Sequence, residues 1–375
     1  MRLLRTSRAL TAGAVALTGA LALSACGSDN NSGGASGSGG AGAGSTGGTA
    51  AANCFSGTLN GEGSTAQKNA IEAAIKAFQT TCADATVNYN ATGSGAGIKQ
   101  FTGKQVDFAG SDSALKTDEA TAAKTRCGSD AWNLPLVAGP IAIAYNVKGV
   151  SNLVLNADVS AKIFNGAITT WNDPAIAAIN AGATLPATPI KVFFRSDESG
   201  TTENFTTYLK SAAPDAWTAA PGKKWTGKGE GKEKSAGVSS AVASTDGGIT
   251  YTEWSYASQN KLAVAKVDTG AGTPVELTGE TAGKAVAAAG QVGTGNDLAL
   301  KLDYATKTAG AYPIVLVTYE IVCSKYADAA KGTAVKVFLT SFASDQTQSG
   351  LEELGYAPLP KEVQSKVQAA VGAVS

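Results

Sequence analysis

The chain has 375 residues, of which 43% are hydrophobic and 16% charged, and its 30 basic side chains balance 30 acidic ones. This balance excludes the excess of clustered Lys and Arg on which nucleic-acid binding depends. Because the chain contains no histidine, it also excludes a Ser-His-Asp triad and zinc sites that use imidazole.

The N-terminal residues have the pattern of an export signal. Three of the five arginines lie within the first ten residues and precede an apolar run, residues 9–23, that is too short to cross a bilayer. Leu23-Ser24-Ala25-Cys26 then resembles the lipobox of bacterial lipoproteins, in which the cysteine is acylated and becomes the new N-terminus. We therefore expect a lipoprotein signal peptide at residues 1–25 and lipidation of Cys26. The alternative is an ordinary secretory signal with an unrelated cysteine.

A flexible tether is expected at residues 26–52. After the cysteine this segment is almost wholly Gly, Ser, Ala, Thr and Asn, so it lacks the apolar surface needed to fold. From residue 53 onward the sequence is long enough to need more than one hydrophobic core, which predicts two lobes. No later apolar run is long enough to cross a membrane.

Four cysteines follow the tether. An even number in an exported chain favours two disulfides, and three pairings are possible. We expect Cys54–Cys82, which closes a strand and a helix, and Cys127–Cys323, which joins an early segment to a late one.

Strand-turn-helix units organise the folded part. Each of three units joins a short apolar run to a small-residue turn and an amphipathic helix, and the turns are residues 60–65, 92–97 and 195–202. The apolar runs predict strands at residues 54–59, 86–90, 106–109, 140–145, 190–194 and 313–323, and a closing helix is expected at residues 360–374. Strands that alternate with helices predict an α/β fold. The Lys- and Gly-rich segment Pro221–Gly237 is interpreted as an exposed loop.

The three turns place small residues where helices begin. Backbone N–H groups there have no intrahelical partner and lie at the positive end of the helix dipole, which suits them to bind an anion. One such turn is weakly indicative, since Gly-Ser turns also cap helices. The third turn contains Arg195, whose planar guanidinium can donate two parallel hydrogen bonds to an oxyanion, and Asp197 is placed to orient it. The alternative for this pair is a surface ion pair.

A carboxylate completes the pattern. Asp112 follows an apolar strand and a Gly-Ser turn. A carboxylate repels a fully ionised anion but can accept the proton of hydrogen phosphate. Sulfate has no such proton, and an unmet buried acceptor costs about 1–3 kcal/mol, which would exclude sulfate. The alternative is that Asp112 caps a helix.

Together these motifs resemble the phosphate-binding lipoproteins of bacterial phosphate ABC importers. The resemblance runs in order from about Phe55 to the C-terminus and includes Trp171–Ile176 and Gly248–Tyr251. The motifs that carry it are GEGST at residues 61–65, GSGAGIKQ at 93–100, VDFAGSD at 106–112 and RSDESGTT at 195–202.

The resemblance implies a two-lobed periplasmic-binding-protein (Venus-flytrap) fold, an α/β architecture in which the chain crosses between lobes twice. Lobe I would comprise residues 53–136 and 299–375, and lobe II residues 137–298. Inorganic phosphate would lie between the lobes and pass to the membrane permease subunits of a phosphate ABC transporter, at the outer face of the bacterial cell membrane. We expect a monomer that acts without a cofactor or a metal.

The resemblance also implies a set of ligand residues. Those expected to bind phosphate are Thr65, Ala66, Ser94, Asp112, Arg195, Ser199, Gly200 and Thr201, and Asp197 would brace the arginine. Asp112 would accept the phosphate proton. Ala66 would donate its backbone N–H. It stands where many relatives have an aromatic residue, a change that leaves the backbone contact intact but predicts looser packing over the ligand.

Other functions were weighed against phosphate import. Ser113-Ala114-Leu115-Lys116 matches the S-x-x-K motif of penicillin-recognising enzymes, but S-D-N occurs only within the tether and K-T-G is missing. A binder of another oxyanion, such as sulfate, molybdate or an organic phosphate, uses the same kind of anion motif. A phosphate scavenger that works without a permease would have the same sequence features.

Overall fold

The structure is a computed structural model and describes residues 54–375, so the expected signal peptide, Cys26 and the whole tether lie outside the described residues. The strands are β1 (Gly57–Gly63), β2 (Ala85–Ala91), β3 (Phe108–Ser111), β4 (Ala131–Asn146), β5 (Val154–Asn156), β6 (Lys191–Arg195), β7 (Glu230–Lys232), β8 (Gly248–Glu253), β9 (Ala263–Val264), β10 (Lys266–Asp268), β11 (Gly290–Gln291), β12 (Leu300–Lys301) and β13 (Val315–Cys323). The helices are α1 (Lys68–Thr81), α2 (Ser94–Thr102), α3 (Thr117–Cys127), α4 (Ala157–Phe164), α5 (Pro174–Ala178), α6 (Gly200–Ala212), α7 (Lys234–Ala243), α8 (Trp254–Gln259), α9 (Gly279–Ala287), α10 (Ala329–Phe342), α11 (Asp345–Ser349) and α12 (Lys361–Gly372), with a 3₁₀ turn at Glu352–Leu354.

The main sheet has the strand order β2-β1-β3-β13-β4-β8-β6-β7, and β9 also pairs with β4. β1 lies parallel to β2 and β3, and β6 lies parallel to β7 and β8. The long strand β4 connects these two parallel groups. Its first part pairs with β13, and residues Ile141–Asn146 pair with β8.

Two hydrophobic cores lie along this sheet, and we name the surrounding parts lobe I and lobe II. The lobe I core contains Phe78, Phe108 and Phe338, and the lobe II core contains Trp171 and Phe205. β4 contributes residues 134–137 to the first core and residues 138–145 to the second, and β13 likewise divides its side chains between them. The two longest paired strands therefore carry the chain between the lobes, which is the α/β periplasmic-binding-protein arrangement expected from the sequence.

The first predicted strand and turn were misplaced. β1 begins at Gly57 and continues to Gly63, so the residues interpreted as a turn are paired with β2 on one side and β3 on the other. Glycine at residue 61 serves a close approach rather than a turn, because a Cβ there would lie 2.2 Å from the ring of Phe108. The actual turn into α1 begins at Ser64.

The segment Pro221–Gly237 is not simply an exposed loop. It contains β7, which pairs with β6, and the first residues of α7. Ser235 within it is only 1% exposed. The prediction of an exposed loop from local composition was wrong here, because β7 forms only by pairing with β6, which lies far away in the sequence.

Two disulfides are present with the pairing expected from the sequence. Cys54–Cys82 ties the start of the described chain to the end of α1, and Cys127–Cys323 ties the end of α3 to β13. In the described part of the chain, no helix combines the length and the apolar character that a membrane crossing requires.

Candidate functional site

The predicted ligand residues come together where strands end and helices begin between the two lobes. Lobe I contributes the turn before α1, the start of α2 and the residue after β3, and lobe II contributes the end of β6 and the start of α6. All of these residues are buried: Thr65, Ala66, Ser94, Asp112, Arg195, Ser199, Gly200 and Thr201. Four segments that are distant in sequence therefore present polar groups to one place.

Arg195 is a fully buried cation held by a carboxylate. Its side chain is 1% exposed, and its Nε donates to Asp197 Oδ1 at 2.8 Å while Nη2 donates to the other oxygen of Asp197. Burial works against ionisation of Asp197, but the hydrogen bonds and charge of Arg195 outweigh it and lower the pKa of that carboxyl. The remaining nitrogen, Nη1, donates to the hydroxyls of Ser235 at 3.0 Å and Thr201 at 3.3 Å. One edge of the guanidinium, Nε and Nη2, is thus bound by Asp197, and Nη1 on the other side contacts the hydroxyl groups of the site.

Asp112 is a buried carboxylate surrounded by hydroxyl groups. It accepts hydrogen bonds from Ser94 Oγ at 2.9 Å, from Thr318 Oγ1 at 2.8 Å and from Ser64 Oγ. Burial raises the pKa of Asp112 to about 6, although these hydroxyl donors oppose the rise. The alternative interpretation as a helix cap is wrong, because α3 begins only at Thr117.

The turn before α1 is fixed by tyrosines from distant elements. Tyr256 of α8 donates to the carbonyl oxygen of Thr65 at 3.1 Å, and Tyr356 donates to that of Ala66 at 2.7 Å. The methyl group of Ala66 is fully buried in the lobe II core. The small side chain expected to loosen the packing here is therefore enclosed by neighbouring groups.

The two lobes are in contact around the site. Gly95 N donates to the carbonyl of Glu198 at 3.1 Å, and Asn204 Nδ2 donates to the carbonyl of Asp112 at 2.7 Å. A Cβ at Gly200 would lie 2.5 Å from the Cβ of Asp112. The structure therefore describes a closed arrangement in which the start of α6 lies directly against lobe I.

Ser113 and Lys116, the pair that matches S-x-x-K, do not form a nucleophile and base. Ser113 Oγ donates to Glu203 at 2.9 Å, and Lys116 Nζ lies 2.8 Å from the same carboxylate. The hydrogen bond that Lys116 donates to Glu203 raises the pKa of Lys116, whereas a lysine that acts as a base needs a lowered pKa. Both side chains instead join lobe I to Glu203 of lobe II.

Four residues of the site were not predicted as ligands: Ser64, Ser235, Glu253 and Thr318. Ser64 lies inside the first motif, GEGST. A correct prediction of the end of β1 at Gly63 would have placed it in the turn before α1. Ser235 lies in a Lys-Ser-Ala-Gly sequence at the start of α7, a fourth small-residue helix start like the others, and its hydroxyl lies 2.8 Å from that of Thr65. Glu253 and Thr318 reach the site from β8 and β13 by sheet pairing alone, and no local signal marks them.

No group of His, Cys, Asp and Glu side chains within residues 54–375 is arranged to hold a metal ion. The chemistry that the site offers is that of hydroxyl donors, one guanidinium and a proton-accepting carboxylate. A small oxyanion that carries a proton matches this combination.

Comparison with known proteins agrees with the fold. Residues 17–346 match the family model of the PBP superfamily domain, so the chain is a periplasmic-binding protein. It is 50% identical over 368 residues to phosphate-binding protein PstS 3 of Mycobacterium tuberculosis, covering 96% of this chain and 97% of that protein. It is 35% identical over 294 residues to phosphate-binding protein PstS of Pasteurella multocida, covering 76% of this chain and 81% of that protein.

A solved structure shows the same fold. The high affinity periplasmic phosphate-binding protein PfluDING, bound with phosphate, superposes with a TM-score of 0.69 and 25% identity, covering 84% of this chain and 93% of that one. The chain therefore belongs to the family of phosphate-binding proteins that serve phosphate ABC transporters.

Proposed function

We propose that this protein binds inorganic phosphate outside the cytoplasm and delivers it to the membrane permease of a phosphate ABC transporter. Phosphate lies between the lobes and contacts Thr65, Ala66, Ser94, Asp112, Arg195, Ser199, Gly200 and Thr201, while Asp197 braces the arginine. The observation that carries the proposal is the presence at one site of a buried guanidinium, that of Arg195, and a separate buried carboxylate, Asp112, whose neighbours are hydroxyl groups.

Binding and closure are coupled in this proposal. Ser94 and Asp112 belong to lobe I, whereas Arg195 and Thr201 belong to lobe II. A ligand that contacts both sets gains its full interaction only when the lobes meet, so phosphate selects the closed state. The permease can then recognise the closed, loaded form.

The protein acts as a binding protein rather than an enzyme, and phosphate is its ligand without a further cofactor. The engagement of Ser113 and Lys116 with Glu203 supports this, because it leaves the S-x-x-K pair without a free base. A different oxyanion is the second candidate function. The hydroxyl-lined Asp112 argues against sulfate and molybdate, which carry no proton at neutral pH.

The remaining architecture follows from the same proposal. We assign residues 53–136 and 299–375 to lobe I and residues 137–298 to lobe II, with the crossing part of β13, residues 315–317, packed in the lobe II core. The chain is a monomer held at the outer face of the cell membrane by a lipid on Cys26. Metabolic labelling with a fatty acid tests this anchor, because a Cys26→Ala variant should lose the label and enter the medium.

Calorimetric titration with phosphate and with sulfate at neutral pH tests the function. The native protein should bind phosphate at micromolar concentration or below, which corresponds to about 8 kcal/mol, and should bind sulfate far more weakly. Asp112→Asn should narrow this difference, because the amide can donate to a sulfate oxygen. Equal affinity of the native protein for both anions would refute the proposal.

A further inference from the structure

Glu253 is a second buried carboxylate at the site, and it comes from β8. It ends β8 and is 0% exposed, and its side chain does not cap the following helix α8. One carboxylate oxygen accepts a hydrogen bond from the hydroxyl of Thr201. Within residues 54–375, the other has only the hydroxyl of Thr252 at 3.5 Å, the outer limit of a hydrogen bond.

The contact with Glu253 uses the proton of the Thr201 hydroxyl. This hydroxyl accepts a hydrogen bond from Arg195 Nη1 at 3.3 Å and donates its single proton to Glu253. What Thr201 offers to a ligand is then a lone pair rather than a proton. A bare phosphate oxygen would have to draw the proton away from Glu253 and leave a buried carboxylate poorly satisfied, which is costly.

The charges around Glu253 also disfavour a doubly charged phosphate. The ionisable groups that face it are Arg195, Asp112 and the phenols of Tyr256 and Tyr356. Asp197 neutralises Arg195 from the far side. A doubly charged anion therefore meets an excess of carboxylates, and a singly charged one meets less repulsion.

We propose that Glu253, acting through Thr201, makes the site selective for the singly charged, doubly protonated form of phosphate. One phosphate O–H donates to Asp112, and the other donates to the Thr201 hydroxyl that Glu253 holds in place. Glu253 is thus a positioning residue for the ligand's protonation state. This inference rests on the proposed function and specifies which form of phosphate is bound.

Proton counting by calorimetry tests the proposal. Phosphate is titrated at about pH 8 into the native protein in two buffers that differ in ionisation enthalpy. Since phosphate in solution is then mostly doubly charged, selection of the singly charged form requires the uptake of close to one proton per phosphate. At higher pH the affinity should fall by about tenfold per pH unit.

Glu253→Gln should abolish this uptake. Its amide donates to Thr201 Oγ1, which frees the threonine proton for a bare phosphate oxygen and removes one negative charge. The affinity of Glu253→Gln at about pH 8 should exceed that of the native protein by roughly tenfold, and its pH profile should be flat.

Glu320→Gln is the matched control. Glu320 is also fully buried, but neither of its carboxylate oxygens has a hydrogen-bond partner in the described chain. Burial raises the pKa of Glu320 to about 8, so Glu320 could itself gain a proton in this range. Proton uptake should persist in Glu320→Gln.

The outcomes separate the two proposals. Phosphate binding by the native protein without proton uptake overturns this inference and leaves the proposed function standing. Uptake that is lost in Glu320→Gln and kept in Glu253→Gln also overturns it. A native protein that binds no phosphate overturns both. The native measurement needs no variant, so a folding defect in Glu253→Gln does not decide the result.

Discussion

At Asp112 the requirements of binding and of stability differ. The proposed phosphate contact needs the charged carboxylate, whereas burial disfavours that charged form in the folded state. Its carboxyl is desolvated, and its pKa is raised to about 6 from 3.8. The native state consequently binds this proton more tightly than the unfolded state does. The stability contributed by the protonated form is complete below about pH 4 and is lost as the pH rises through about 6.

Asp112→Asn should remove this pH dependence. From about pH 4 to about pH 7, the native protein should lose free energy of unfolding relative to the variant, by an amount on the order of 3 kcal/mol. Urea unfolding of both proteins without phosphate measures the difference. Glu320, whose pKa is raised mainly by burial, titrates in both proteins, and only the smaller part of the rise that is caused by the charge of Asp112 differs between them. Parallel stability curves across this range would show that Asp112 carries no such cost.

Gly200 should be indispensable for closure. An alanine Cβ at this position would lie 2.5 Å from the Cβ of Asp112 and 2.6 Å from Ser94 Oγ. Since the clash is between lobes, Gly200→Ala should lower phosphate affinity by a factor of 100 or more, or about 3 kcal/mol, with little change in thermal stability without phosphate. Gly283→Ala is the control, because nothing lies within 4 Å of its added Cβ. Unchanged affinity of Gly200→Ala would contradict the closed geometry.

At this scale the sequence identified the residues whose chemistry is distinctive. Arg195 stood out because arginine is scarce, and Asp112 because a carboxylate is unexpected beside an anion site. Thr318 could not be found in this way. Its contact with Asp112 spans 206 residues and is created by the pairing of β13 with β3, which no local pattern encodes.

Among the elements, α6 joins the lobes through the side chain of Glu203. The carboxylate of Glu203, in the first turn of α6, lies 2.8 Å from Lys116 Nζ and accepts a hydrogen bond from Ser113 Oγ at 2.9 Å, both from lobe I. Lys223 of lobe II lies 3.1 Å from Glu119 of lobe I and 3.5 Å from Glu203. The inter-lobe ion-pair network formed by these five residues is partly buried, since the side chain of Lys223 is 9% exposed. Such pairs are screened less than exposed ones.

Glu203→Gln should weaken closure without removing any proposed phosphate ligand. We expect a phosphate affinity lower by a factor of about 5 to 30, in line with the loss of 1–2 kcal/mol, and a faster release of phosphate measured by stopped flow. Lys124→Met is the control, because its pair with Asp130 is exposed within lobe I. Equal release rates in the native protein and Glu203→Gln would show that the network does not hold the lobes.

Element boundaries were predicted unevenly for a physical reason. β2, β6 and the closing helix α12 have clear apolar periods, and their predicted and observed ranges nearly coincide. The predicted first strand ends too early, because the glycines of β1 are typical of a turn. In the structure Gly61 instead makes room for Phe108. β7 was missed since its strand character comes from its partner β6 rather than from its own sequence.

For the whole molecule, the central feature is that β4 and β13 cross between the lobes and that the proposed ligands are divided between the two sides. β13 places Thr318 beside Asp112, and its register against β4 shifts between Thr318 and Tyr319. The irregular step therefore lies at the site itself.

The most direct test of the account is a crystal structure of the mature protein saturated with phosphate. We predict tetrahedral density between the lobes, within hydrogen-bonding distance of Arg195 and Thr201 on one side and of Ser94 and Asp112 on the other. Phosphate bound elsewhere, or held by one lobe without contact to Arg195, would contradict the account.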